Sequence, residues 1–195
     1  IKEQYENGVS SCALFSMTLV PEGNPPADKV GILCKKYKKF QDKLNSMGIK
    51  CGVLVQASVG HGWVLGDMFP YSTNVNFCDG VATRVVCPCD SGFKNYIYNV
   101  MRTIAMQNPE CIMVDDDFRL IWYKGEGCGC DLHMARFNKE AKTNLTRKEL
   151  WDIVNGNGEN KKKYTDIFIK TQMESLLEAA RIMRDAIDSV DPYLP

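Results

Sequence analysis

The chain has 195 residues, of which 45% are hydrophobic and 25% charged, as in an ordinary globular protein with one sizeable core. Its 24 basic and 24 acidic residues give a formal net charge of zero, which offers no support for general binding of nucleic acid or of an acidic membrane surface. No apolar run approaches the roughly 18 residues of a membrane span. We therefore expect no nucleic-acid partner, no membrane segment and no signal peptide in this sequence.

The first half of the chain predicts strands that alternate with helices. In chain order, these segments are a strand in 10–20, a helix in 28–48, a strand in 50–60, a helix in 91–108 and a strand in 111–114. Asp28 is placed to cap the first helix, and Gly48 to end it. The alternating sequence around Asp79-Gly80 predicts a β-hairpin between the second strand and the second helix.

The second half of the chain predicts helices alone. The helical segments are 131–142, 147–154 and 161–189, and the last of them is long and amphipathic. Thr146 and Glu149 have the spacing of a capping box at the start of the middle helix. The order of elements is therefore strand–helix–strand–hairpin–helix–strand, followed by helices.

Near-continuous apolar strands that alternate with helices imply a parallel sheet that is buried on both faces. Such a sheet belongs either to an open doubly wound fold or to a (β/α) barrel. A dinucleotide-binding Rossmann fold is not supported, because no G-x-G-x-x-G follows the first strand. The phosphate-binding motif G-x-x-x-x-G-K-[ST] is also missing.

The nine cysteines favour a reducing compartment. An odd number cannot all pair within one chain, and several lie inside apolar strand-like or helical segments, where a free cysteine behaves as a small hydrophobe. This distribution suits the cytoplasm better than a disulfide-rich secreted protein. Four others lie in loop-like sequence, where they are available for chemistry; these are Cys87, Cys89, Cys128 and Cys130.

The sequence "CGCDLHMARF" suggests a metal site. Cys128, Cys130 and His133 form C-x-C-x-x-H at the start of a helix, and thiolates with imidazole are good ligands for Zn²⁺. A closed structural site needs a fourth ligand, which "CPCDSGF" offers as Cys87 or Cys89. The alternative is that all of these thiols are reduced and bind no metal.

Three consecutive aspartates, Asp115, Asp116 and Asp117, follow the buried strand "CIMV". In α/β sheets and barrels, functional groups collect at the carboxyl ends of the strands. One of these carboxyl groups is therefore a candidate general acid/base, with its pKa raised by its neighbours. The alternative is a loop of helix caps with a salt bridge to Arg119.

The loop after the second strand contains "GHGW", with His61 and Trp63. An aromatic ring beside an imidazole in a strand-end loop suits carbohydrate binding, because the ring can pack against the face of a pyranose. The alternative is an ordinary packed loop.

Two stretches resemble glycoside hydrolase family 42 and related barrel glycosidases. "IMVDDDFRL…CGCDLHMARF" is similar to their fourth-strand region, which has an apolar strand, then Asp-Asn-Glu, then a Cys-x-Cys-x-x-Cys. "CPCDSGFKNYI" is similar to the cysteine-containing loop after their third strand. The resemblance implies a (β/α)₈ barrel of the TIM type, retaining hydrolysis of β-glycosides and a structural zinc ion.

Carried over position by position, Asp117 falls on the acid/base Glu of that family and Asp116 on the preceding Asn. Both are departures from the family. Asp117 is one methylene shorter than the Glu that it replaces. Asp116 lacks the amide with which the Asn would donate to a sugar hydroxyl. The resemblance further implies the set of zinc ligands, which is Cys87, Cys128, Cys130 and His133. The groups expected around a sugar are His61, Trp63, Asp115 and Arg119.

The chain is short for the fold that this resemblance implies. A (β/α)₈ barrel takes about 250 residues, whereas residues 1–195 predict about four βα units. A retaining glycosidase also needs a nucleophilic carboxylate about 5 Å from the acid, and strand seven would carry it. We therefore expect the N-terminal part of a barrel, inactive alone, that self-associates or pairs with a missing half.

Two other functions compete with the glycosidase hypothesis. One is a non-catalytic carbohydrate-binding or zinc-stabilised interaction module, which needs no second carboxylate. The other is a thiol-redox protein, which the sequence disfavours because it has no C-x-x-C and its cysteines are dispersed.

Overall fold

The structure is a computed structural model that describes residues 2–8, 12–19, 28–60, 70–115, 118–120 and 127–195. Within these residues the elements are α1 (Lys2–Glu6), β1 (Ala13–Thr18), α2 (Lys29–Asn45), β2 (Cys51–Gln56), β3 (Thr73–Val75), β4 (Ala82–Val86), α3 (Ser91–Ala105), β5 (Ile112–Val114), α4 (Asp131–Ala141), α5 (Arg147–Asn155) and α6 (Lys161–Asp188). Every predicted helix and strand is present. The short helix α1 was not predicted.

The predicted helix ends are confirmed by their hydrogen bonds. The Asp28 carboxylate accepts from the Gly31 backbone N–H at 2.9 Å, which caps α2. Gly48, which follows α2, has a φ of +74°, a conformation that costs glycine little. Thr146 and Glu149 form the full capping box at the start of α5.

Strands β1, β2 and β5 form a parallel sheet in the order β1-β2-β5. Residue Ala13 pairs with Cys51, and Val53 pairs with Ile112, so neighbouring strands start at nearly the same level. On the far side of β5, the Ile112 N–H donates to the Pro195 carbonyl at 2.8 Å. The C-terminal segment therefore lies along one edge of the sheet.

The predicted TIM-type barrel is wrong. Among the described residues, the sheets have three parallel strands and two antiparallel strands, and neither sheet closes. The reason lies in the chain after β5, which forms three helices in place of further strands. Helix α6 packs on α3, α4 and α5. Strands and helices no longer alternate in this part of the described chain, so no strand is added to the sheet.

Burial of the parallel sheet on both faces was also predicted, and this is wrong. One face carries Met17, Val53 and Val55, which are fully buried against the helices. The opposite face carries Leu14 and Met113, which are 37% and 52% exposed. Within the described part of the chain, helices thus cover the sheet on one face only. Self-association, which we expected for a partial barrel, stays a prediction.

The hairpin and the C-terminal helices form a second, smaller core. Strands β3 and β4 are antiparallel, as the Asp79-Gly80 sequence predicted. Phe77, in the turn region after β3, stacks on Phe168 of α6 with ring centroids 4.1 Å apart, and Trp151 of α5 meets it edge-on. Phe137 and Leu150 are fully buried beside them. This core fixes the hairpin against α4, α5 and α6.

Among the residues that the structure describes, no helix combines the length and apolarity that crossing a bilayer requires. All nine cysteines lie in described residues, and none of the nine forms a disulfide. The reducing compartment and the cytoplasmic location stay predictions.

Replacing Thr146 by Ala is expected to lower the free energy of unfolding by about 1 kcal/mol, because the Glu149 backbone N–H then loses its cap. Thr146→Ser keeps a hydroxyl cap and should leave the urea midpoint nearly unchanged. Equal destabilisation by both substitutions would contradict the cap and point to packing of the Thr146 methyl group.

Candidate metal centre

Three segments of the chain bring the predicted ligands together. Cys87 follows β4 directly, a few residues before the N-cap of α3. Cys128 and Cys130 lie in the short segment before α4, where Cys130 is the N-cap residue and makes no side-chain cap hydrogen bond. His133 is in the first turn of α4. The hairpin and the start of α4 therefore supply all four side chains.

The four potential ligand atoms lie within 4.8 Å of one another. The Cys87 sulfur is 3.4 Å from that of Cys130 and 3.3 Å from His133 Nδ1. Cys130 Sγ is 3.5 Å from the same nitrogen. All four residues are buried, with His133 only 1% exposed. The cluster is thus a compact set of three sulfurs and one nitrogen, removed from solvent.

The C-G-C segment, residues 128–130, is hydrogen-bonded to the β3 side of the hairpin. Gly129 donates its N–H to the Val75 carbonyl at 2.7 Å, and Cys128 forms a bridge with Asn76. A side chain at Gly129 would not fit, because a Cβ there would lie 2.8 Å from the Arg147 side chain. The glycine between the two cysteines therefore lets α5 pack against this segment.

Helix α6 supports the cluster from behind with two polar side chains. Gln172 holds both backbone groups of Cys128, accepting from its N–H at 2.8 Å and donating to its carbonyl at 3.1 Å. Ser175 Oγ lies 2.9 Å from His133 Nε2 and donates to the Gln172 carbonyl at 2.7 Å. Sequence reasoning missed both residues.

The hydroxyl of Ser175 determines which imidazole nitrogen faces the sulfurs. Its proton goes to the Gln172 carbonyl, so its lone pair accepts from His133 Nε2–H. Nδ1 is then the nitrogen left to face Cys87 and Cys130. This is the arrangement of a histidine ligand whose second nitrogen is held by a hydrogen bond.

The charges in the cluster depend on one another. Hydrogen bonds from Cys128 and Cys87 lower the pKa of the Cys130 thiol, whereas those from Cys128 and Cys130 raise the pKa of Cys87. Burial by itself lowers the pKa of His133, but hydrogen bonds from Cys128 and Cys130 outweigh it and raise that pKa to about 11. Without a metal, these shifts favour a proton on His133 and a negative charge on Cys130.

Cys89, the other candidate for the fourth ligand, lies at the rim of the cluster. It is half-buried, and its sulfur is 3.6 Å from His133 Nε2 and 3.6 Å from the Arg136 guanidinium. Arg136 is held in turn by Glu178 of α6, which also pairs with Lys94 of α3 at 2.6 Å. These contacts join α3, α4 and α6 beside the cluster.

A buried set of three thiols and one imidazole can hold a metal ion. The structure thus brings together the four residues that the resemblance placed in one site. The choice of zinc as the metal stays a prediction.

The other predicted site residues are placed only in part. Asp115 follows β5, where its carboxylate accepts from the Gln56 amide at 3.0 Å, and Arg119 is exposed. Asp116, Asp117, His61 and Trp63 lie outside the described residues. The catalytic role of the two aspartates and the sugar-binding role of Asp115, Arg119, His61 and Trp63 therefore stay predictions.

No protein-family model matches the chain, and no curated protein matches it. The relationship to glycoside hydrolase family 42 and the glycosidase activity that it implies stay predictions. The metal-binding geometry of the cluster is the strongest indication of function among the described residues.

Ser175→Ala is expected to weaken metal binding by about 10-fold or more, because the buried Nε2–H of His133 then loses its oxygen acceptor and keeps only the more distant Cys89 sulfur, at 3.6 Å. Competition with a chromophoric chelator measures the affinity. Ser189→Ala is the matched control, since Ser189 makes the same bond to a carbonyl three residues earlier, outside the cluster. Equal affinities for both variants would contradict a role for Ser175.

Metal affinity is expected to fall as the pH falls. A bound ion must displace the proton of His133, whose pKa is raised to about 11, and that of Cys87, whose pKa is also raised. Each displaced proton weakens binding about tenfold for every pH unit that is lost, so these two protons alone give a loss of about 100-fold or more between pH 7 and pH 6. Chelator competition at both values, corrected for the chelator, tests this. An unchanged affinity would exclude these ligands.

Proposed function

We propose that this chain is a zinc-stabilised, non-catalytic interaction module. Zn²⁺ bound by Cys87, Cys128, Cys130 and His133 joins the β3–β4 hairpin to the start of α4, and through them to α6. The observation that carries the proposal is the buried group of four ligands on segments that are distant in sequence.

The chemistry of the ligands supports zinc. Three sulfurs and one imidazole are soft or borderline donors, which suit Zn²⁺ and disfavour Ca²⁺ and Mg²⁺, the hard ions that take oxygen ligands. Cys3His is a standard set for structural zinc, and the start of α4 favours a thiolate at Cys130.

The distances support a site that is nearly preformed. Tetrahedral zinc, with Zn–S near 2.3 Å and Zn–N near 2.05 Å, separates two sulfurs by about 3.8 Å and a sulfur from a nitrogen by about 3.6 Å. The observed separations are 3.4 Å between sulfurs and 3.3 and 3.5 Å from sulfur to Nδ1. The ligand atoms of Cys87, Cys130 and His133 need to move apart only by a few tenths of an ångström, and all four ligand atoms already lie within 4.8 Å of one another.

Four protein ligands close the coordination sphere, which separates structural zinc from catalytic zinc. A catalytic site keeps one position for water or substrate and is reached from solvent. Here the fourth position belongs to a protein side chain, and the cluster is buried. The metal therefore contributes folding energy and positions the segments that it joins.

Metal analysis of the purified chain is expected to find one zinc ion per molecule. Cys128→Ser should lose the zinc and lower the melting temperature, because one ligand and its charge are gone. Cys78→Ser is the matched control, since Cys78 is a half-buried thiol in the hairpin turn and outside the cluster. It should keep both the zinc and the melting temperature.

Two results would refute the proposal. One is protein that folds with the same melting temperature after exhaustive chelation, which would show that no metal stabilises it. The other is a purified chain that binds no zinc when Zn²⁺ is supplied in excess during refolding. An intact zinc content in Cys128→Ser would exclude this ligand set.

A further inference from the structure

A second group of thiols lies at the opposite end of the sheet from the carboxyl ends of its strands. Cys12 precedes β1, and Cys111 precedes β5, which are the two strands on either side of β2. Their sulfurs are 3.9 Å apart. Cys51, at the start of β2, lies on the buried face with Val53 and is not part of the pair.

The two sulfurs meet because β2 has no side chain between them. Gly52 is the residue of β2 beside Cys111, and a Cβ there would lie 2.7 Å from Cys111 Sγ and 2.9 Å from the Leu14 side chain. Any larger residue would push the thiol away. The pair lies on the face of the sheet that carries the exposed Leu14 and Met113, so solvent reaches it.

A disulfide does not suit this pair. Neighbouring strands are about 4.8 Å apart, so the backbones on either side of β2 are separated by about 9.6 Å. A disulfide requires Cα atoms within about 6.8 Å of each other. Direct closure would have to distort the hydrogen-bonded sheet.

A bridging metal ion suits the separation. With metal–sulfur bonds of about 2.3 Å, an ion joins two sulfurs that are between about 3.8 Å apart, at a tetrahedral angle, and about 4.6 Å apart, when linear. The observed 3.9 Å lies within this range. Two thiolate sulfurs are soft ligands, which favour a soft ion that accepts a low coordination number, and Cu(I) is the biological example.

We propose that Cys12 and Cys111 form a second metal site, a dithiolate that binds one Cu(I) ion on the open face of the sheet. Binding is a ligand exchange without a redox step, in which Cu⁺ and two thiols give a copper dithiolate of charge −1 and two protons. The site is separate from the zinc cluster in both residues and location, and only the order of copper uptake and zinc release in the test below rests on the zinc proposal.

The test is an anaerobic titration of the purified, zinc-containing chain with Cu(I), supplied as its acetonitrile complex in competition with a chromophoric Cu(I) chelator. A zinc indicator in the same cuvette reports loss of zinc. The wild-type chain should take up one Cu(I) before any zinc leaves. Cys12→Ser and Cys111→Ser should each lose that first equivalent, and Cys78→Ser should retain it. X-ray absorption should show copper bound by sulfur alone.

Any of three results would overturn the proposal. The first is release of zinc from the beginning of the titration, which would place the copper in the zinc cluster. The second is an unchanged first equivalent in Cys12→Ser and Cys111→Ser. The third is an intramolecular Cys12–Cys111 disulfide on treatment with oxidised glutathione, found by peptide mass mapping, because it would show that the strands come closer than the sheet allows.

Gly52→Ala removes no thiol and tests the geometry directly. The new methyl group occupies the position now next to Cys111 Sγ. Its affinity for the first Cu(I) should fall by at least 10-fold while the zinc content and circular dichroism stay as in the wild type. Wild-type Cu(I) affinity in folded Gly52→Ala protein would contradict the bridging arrangement.

Discussion

Thiol and imidazole groups that are buried together require a positive charge or hydrogen bonds to compensate them. This constraint fixes how the segments of the C-terminal half of the molecule pack around the cluster. A buried imidazolium beside a thiolate is costly to desolvate. A bound metal ion would replace the proton as the partner of the cluster, while the hydrogen bonds of Gln172 and Ser175 hold Cys128 and His133 in place. The hairpin, the first turn of α4 and the middle of α6 are all positioned by this one group of contacts.

The two halves of the molecule solve different packing problems. The parallel sheet buries one face under α2, α3 and α6, whereas the hairpin and α4 to α6 surround a small aromatic core. That second core is the smaller of the two, and it contains Phe77 stacked on Phe168. A small core is a typical place for a metal cross-link, because the hydrophobic term alone is modest there.

Local structure was predictable because its signals are local. The cap at Asp28, the capping box at Thr146 and the turn at Asp79-Gly80 act over three or four residues, and all are present. The predicted barrel was wrong because a sheet closes only if the chain after β5 adds further strands. The helical periodicity after residue 131 predicted helices there, and the barrel came from the family resemblance. The ligand cluster came from cysteine and histidine spacing together with a family resemblance. Gln172 and Ser175 of α6 were missed. Polar residues on the apolar side of an amphipathic helix indicate buried hydrogen bonds, and this signal could have pointed to both of them.

The cluster has a thermodynamic consequence for the whole chain. An ion that binds the folded state and not the unfolded chain adds a free energy of RT ln(1 + [M]/Kd), so above saturation each tenfold rise in free metal adds about 1.4 kcal/mol. Because Cys87 and Cys128 lie on distant segments, unfolding would separate them and release a bound ion. The stability of such a chain is not a constant of its sequence, because it follows the free metal concentration of its surroundings.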